Sequence, residues 1–186
     1  MKTDIKKFVD NCDSCHKAKV LRHLKPPPAE IPVPSRRFSF IHMDLVGPLP
    51  EAGGNRYFLS IIDRASRWFE IVPLQNIEAK TVCREFVRQW ISRYGVPSTI
   101  LTDRGLQFKS QILQDLCQVL GIQLLHTTSY HPQCNGLVER LHRRIKESLT
   151  ARGGNWMDEL PWTLLGLRAV PREDSGLITH SKQGGT

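Results

Sequence analysis

Phe40-Ile41-His42-Met43-Asp44-Leu45-Val46 reads as a strand buried on at least one face, with a carboxylate set into it. A solvated surface acid is out of place there. A buried charge is tolerated when it pairs with Arg or Lys or coordinates a metal, and hard divalent cations such as magnesium take oxygen ligands of this kind. Asp103, at the C-terminal end of the short segment Thr99 to Thr102, and Glu139, in the first turn of a long helical pattern, are two more acids in such positions.

The surrounding periodicity places these acids in a fold. The first strand runs from Phe38 to Val46, and Gly47, Pro48, Pro50, Gly53 and Gly54 then make a turn. Tyr57 to Ile62 and Trp68 to Val72 are two further strands joined by the polar turn 63–67, so the three form an antiparallel meander. Beyond them the period changes. Ala79, Cys83, Phe86, Val87, Trp90, Ile91 and Tyr94 recur at three- and four-residue intervals until Gly95 and Pro97 stop an amphipathic helix. Thr99 to Thr102 is a fourth strand, and Ile112, Leu113, Leu116 and Leu120 mark a helix that ends at Gly121. Ile122 to His126 is the fifth strand. The loop Thr127 to Cys134 leads to Asn135 as N-cap of a long helix with the stripe Val138, Leu141, Ile145 and Leu149. Trp156 to Val170 is a last helix with Pro161 as a candidate break. This order predicts an α/β layered domain of five strands flanked by helices.

Composition limits the partners. Lys and Arg number 26 against 18 Asp and Glu, a net charge of +8 that favours polyanions such as nucleic acid. No apolar stretch approaches the roughly 20 residues of a membrane span, and the start lacks a signal peptide's apolar segment, which predicts a soluble intracellular protein without membrane partners. Five dispersed cysteines argue for reduced thiols rather than a disulfide framework.

Strand ends and a helix start can converge on one cleft, which would bring Asp44, Asp103 and Glu139 together. Carboxylates that bridge two ions about 3.5–4 Å apart can activate a nucleophilic oxygen and stabilise the leaving oxygen of a phosphodiester. No protein base is needed.

The flanks carry a resemblance. Residues 104–138 separate Asp103 from Glu139, and the flanking segments are Leu101-Thr102-Asp103-Arg104-Gly105-Leu106-Gln107-Phe108 and Tyr130-His131-Pro132-Gln133-Cys134-Asn135-Gly136-Leu137-Val138-Glu139-Arg140. With His42-Met43-Asp44-Leu45-Val46-Gly47-Pro48-Leu49, these segments resemble, from about Phe38 to Val170, the D,D-35-E catalytic core of retroviral and LTR-retrotransposon integrases, gypsy type above all. The resemblance implies a ribonuclease H-like fold with a mixed five-stranded sheet. It also implies Asp44, Asp103 and Glu139 as catalytic ligands of two magnesium or manganese ions. The implied reactions are 3'-end processing and strand transfer, on retroelement ends and target DNA, by a homo-oligomer acting in the nucleus.

Arg143 and Lys146 follow Glu139 at i+4 and i+7, on a helix face distinct from the apolar stripe. Such a face grips phosphates beside a metal site, or is a solvated basic face with an i,i+4 Glu–Arg pair. In the resembling family the loop matching Thr127 to Gly136 borders the active site and engages DNA, which makes His131, Gln133 and Asn135 candidate DNA contacts. Cys12 and Cys15 have zinc-ligand spacing but supply two of the four ligands a structural zinc needs. In the family such a pair completes an N-terminal module with two upstream histidines, and residues 1–11 contain none.

The expected organisation is a remnant of that module in 1–25, a Pro-rich linker in 26–37 and the catalytic core in 38–170. A polar tail fills 171–186, with the small DNA-binding domain that follows the core in the family absent, as in a truncated form. Two other readings remain open: a catalytically silent DNA-binding or assembly module derived from an integrase, and an RNA-cleaving ribonuclease H.

Overall fold

The computed structural model describes residues 35–127 and 132–169. Five strands, β1 (Phe40–Val46), β2 (Tyr57–Asp63), β3 (Phe69–Leu74), β4 (Thr99–Thr102) and β5 (Gln123–His126), form one sheet in the order β3-β2-β1-β4-β5. The first three pair antiparallel as the expected meander, and β4 and β5 extend it in parallel, which makes the sheet mixed. Pro73 lies in β3, one residue past the predicted end of that strand. β3 is an edge strand, where a residue without an N–H need break no ladder.

Alternation along β1 sorts its side chains between two cores. Ile41 and Met43 pack with Leu59, Ile61, Val72, Val82, Phe86, Trp90, Ile100 and Leu113 on the face covered by α1 (Ala79–Phe86) and α2 (Gln111–Leu120). Val46 packs with Phe58, Ile62, Phe69 and Ile71 on the opposite face, beneath α3 (Pro132–Arg152) and α4 (Trp156–Ala169). Asp44 shares the parity of Val46, so it points to the α3 side.

Three helical expectations change in the structure. The helix predicted to end at Tyr94 is one rod, but Val87–Ile91 forms a π-helical turn before Ser92–Tyr94 closes it. The wider turn keeps Trp90 fully buried and leaves Val87 on the surface, so Val87 is not part of the buried stripe. The long helix begins at Pro132, three residues before Asn135. Proline suits the first helical position because its missing N–H is one of the groups the first turn leaves unpaired, and its fixed φ is helical. Asn135 is therefore not the cap, and Glu139 is the eighth helical residue rather than a first-turn residue. Helix-dipole stabilisation fades within the first turn and does not explain Glu139. Pro161 does not divide α4. Buried Trp156, Leu160 and Leu164 hold the helix to the sheet across it, and Trp156 Nε1 donates to the Pro50 carbonyl at 2.8 Å.

Candidate active site

Backbone register brings the first two acids together. In the parallel β1–β4 ladder Met43 stands beside Thr102, so Asp44 and Asp103, the residues that follow, leave the end of that ladder as neighbours. Adjacent strands are about 4.8 Å apart, which sets the scale of their separation. Glu139 comes from α3, anchored on the sheet by buried Val138 and Ile145.

Asp44 is half-buried, with 32% of its side chain exposed, whereas Asp103 and Glu139 are exposed. The expectation of a buried acid thus holds in part for Asp44 alone, because Asp103 lies past its strand and Glu139 is exposed on its helix. Asp44 Oδ1 accepts from the Leu45 N–H at 2.8 Å. Asp103 Oδ1 accepts from the Gly105 N–H at 2.9 Å, and a Cβ on Gly105 would stand 3.0 Å from that oxygen. Thr102 Oγ1 donates to the Asp103 carbonyl at 2.9 Å and lies 2.9 Å from His126 Nδ1, tying the end of β4 to β5.

Electrostatics report the convergence. Burial pushes the Asp44 carboxyl up to about 6; the Leu45 N–H opposes the rise, and the negative charges of Asp103 and Glu139 add to it. All three acids therefore lie in one electrostatic neighbourhood. Their donors are hard oxygens, a set that fits a divalent cation of the magnesium or manganese kind. Among the described residues, no three His, Cys, Asp or Glu side chains are yet drawn in closely enough to ligate one ion.

Two residues beside the triad were missed in the sequence. His142 Nε2 lies 2.7 Å from Ser60 Oγ, and its Nδ1 lies 3.7 Å from Asp44 Oδ2. Ser60 Oγ also donates to the Asp44 carbonyl at 3.2 Å. Burial, helped by the Lys146 charge, lowers His142 to about 4. Burial thus disfavours the charged form of both His142 and Asp44, which argues against reading their contact as an ion pair. The available signal was spacing: His142 stands at i+3 from Glu139, on the same side of the helix.

Arg143 and Lys146 are exposed on α3, and Arg143 Nε is 3.9 Å from Glu147 Oε1, so its i,i+4 partner lies ahead of it rather than at Glu139. Of Gln133 and Asn135 only the helical backbone is described. His131, Cys12 and Cys15 lie outside the described residues, as do 1–34 and 170–186. No described helix is long and apolar enough to cross a membrane.

A mixed five-stranded sheet with helices on both faces and acids at adjoining strand ends has the ribonuclease H-like fold. Residues 34–132, more than half the chain, match the family model of the integrase core domain. The chain belongs to that family, found in the Pol polyproteins of retroviruses and retrotransposons and associated with DNA integration. It is 34% identical over 154 residues to the Gag-Pol polyprotein of Walleye dermal sarcoma virus, covering 80% of this chain and 9% of that protein. It is 36% identical over 144 residues to the Pol polyprotein of transposon 412 from Drosophila melanogaster, covering 77% and 12%. The chain thus spans about a tenth of the length of these relatives. Its fold is similar to that of the HTLV-2 integrase catalytic core domain in complex with magnesium, in a trimeric form, with a TM-score of 0.59 and 21% identity over 76% of this chain and 93% of that one.

Proposed function

We propose that this chain is a metal-dependent polynucleotidyl transferase that processes the 3' ends of retroelement DNA and joins them to target DNA. Asp44, Asp103 and Glu139 are its magnesium or manganese ligands. The observation that carries the reading is Asp44, a half-buried carboxyl whose ionisation is opposed by both of the other acids. When bound, two divalent ions supply Lewis-acid stabilisation of the attacking and leaving oxygens of a phosphodiester. The chain's own residues hold and aim the ligands. Leu45 N–H fixes one oxygen of Asp44 and leaves Oδ2 for a cation; Gly105 N–H does the same for Asp103. Arg143 and Lys146, which follow Glu139 along α3, hold DNA phosphates in this reading, and their exposure on the helix supports it. The magnesium and trimeric form of the HTLV-2 core support the choice of metal and assembly as a homo-oligomer. Action on chromosomal DNA makes the nucleus the site of work.

The test is a strand-transfer assay on oligonucleotides with magnesium or manganese, comparing the chain with Glu139→Gln. Joining that is lost in the variant supports the proposal; equal joining by both removes Glu139 from the chemistry. A second reading is DNA binding without turnover, which the net charge of +8 supports by itself. That protein would show salt-sensitive DNA binding and no metal-dependent joining in either form.

A further inference from the structure

We propose that His142 Nδ1 is a further ligand of the divalent ion held by Asp44, giving this site one nitrogen beside its carboxylate oxygens. The inference rests on the reading of the triad given above. Asp44 Oδ1 is engaged by the Leu45 N–H at 2.8 Å, so Oδ2 is the oxygen left for a cation. His142 Nδ1 lies 3.7 Å from it.

Ser60 decides which imidazole nitrogen carries a lone pair. Its hydroxyl has one proton, and because the Asp44 carbonyl, 3.2 Å away, can only accept, we assign that proton to it. The 2.7 Å contact to His142 then needs Nε2–H as donor and Ser60 Oγ as acceptor, which leaves Nδ1 unprotonated. Two acceptors facing each other at 3.7 Å gain nothing from one another. A cation between them satisfies both. At about 2.1 Å per bond, two donors on one ion stand roughly 3.0 Å apart at a right angle and roughly 3.4 Å apart at the tetrahedral angle. A closure of roughly 0.7 Å therefore suffices for the right angle of an octahedral ion, which side-chain torsions supply.

The surroundings match what ligating histidines receive elsewhere. Such a histidine gives its other N–H to an acceptor that fixes tautomer and ring orientation, the task Ser60 performs here, itself anchored on the Asp44 main chain. The ring is 12% exposed and meets Phe58 edge-on, with centroids 6.0 Å apart, so its plane is set before any ion arrives. Imidazole suits transition metals better than magnesium, so the site should prefer manganese over magnesium more strongly than three carboxylates alone.

The test is pulsed electron paramagnetic resonance of Mn2+ bound to the full chain, with natural-abundance and 15N-histidine protein. The expected result is a nitrogen coupling that changes with the label and disappears in His142→Asn, with the Mn2+ over Mg2+ preference falling about tenfold. Bound Mn2+ that depends on Asp44, being lost in Asp44→Asn, yet shows no histidine coupling would overturn the proposal and leave the triad reading standing. Coupling that persists in His142→Asn would also overturn it, since the chain has seven histidines. Mn2+ binding indifferent to Asp44→Asn would instead sink the triad reading, and this ligand with it. The isotope comparison uses the unmodified protein, so a misfolded variant does not block the test.

Discussion

Asp44→Asn should stabilise the metal-free protein at neutral pH, although it removes a proposed ligand. The Asp44 carboxyl rises from 3.8 to about 6 in the fold, chiefly through burial. Below pH 3.8 it is protonated in both folded and unfolded chains and contributes no difference. Between 3.8 and 6 the unfolded chain releases a proton that the folded chain retains, so stability falls as pH rises, and above 6 the loss is complete. At 1.36 kcal/mol per tenfold change the full penalty is about 3 kcal/mol, and solvent screening of a side chain that is one-third exposed reduces it to roughly 2 kcal/mol. Asparagine keeps the acceptor for the Leu45 N–H and carries no charge. Urea unfolding in a chelating buffer, at pH 3.5 and pH 7.5, should therefore give wild type and variant a stability difference that grows by roughly 2 kcal/mol in favour of the variant at the higher pH. Manganese should then close the gap by stabilising the wild type alone. A difference that is the same at both pH values would refute the reasoning, because it would mean Asp44 ionises in the fold as freely as in the unfolded chain.

Three other outcomes follow from contacts elsewhere. Arg168 donates to Glu70 Oε2 at 2.9 Å and to the Phe69 carbonyl at 2.7 Å while lying over the Trp68 ring, so Arg168→Ala should cost about 3 kcal/mol in urea unfolding by stranding a mostly buried carboxylate. Gly47 has φ +143°, and a Cβ there would meet Tyr57 Cδ1 at 2.4 Å and the Arg56 carbonyl at 2.7 Å. Gly47→Ala should lower thermal stability by about 2 kcal/mol or more, since backbone cannot yield to relieve the contact. Gly105→Ala should leave unfolding nearly unchanged but cut metal-dependent joining roughly tenfold or more, because its new methyl group presses on the Asp103 carboxylate.

Much of the architecture was legible because its signals are local. The alternation of residues 40–46, the three-and-four spacing of 79–94 and the turn residues between them depend on near neighbours, and the elements formed where they pointed. The Asp103 and Glu139 segments were legible as a pair through their flanks. What escaped was decided by packing at a distance. The π-helical turn answers to Trp90 finding its place in the core, and the continuity of α4 through Pro161 to the anchoring of residues on either side of it. At Pro132 two local signals competed, a proline suited to a first turn and an asparagine suited to a cap, and the proline prevailed. His142 was passed over because one imidazole on a helix means little until Ser60 of β2 is seen beside it.

The register of β1 against β4 has a mechanical consequence. Asp44 and Asp103 directly follow Met43 and Thr102, the last pair of the β1–β4 ladder at the middle of the sheet, so a large movement of one relative to the other strains that ladder. Glu139 rides on a helix attached through apolar side chains, among them Val138 and Ile145, which can slide without breaking a directional bond. The triad is thus a vice with one fixed jaw and one adjustable jaw. Whatever seats α3 on the sheet also sets the gap into which a phosphodiester must fit.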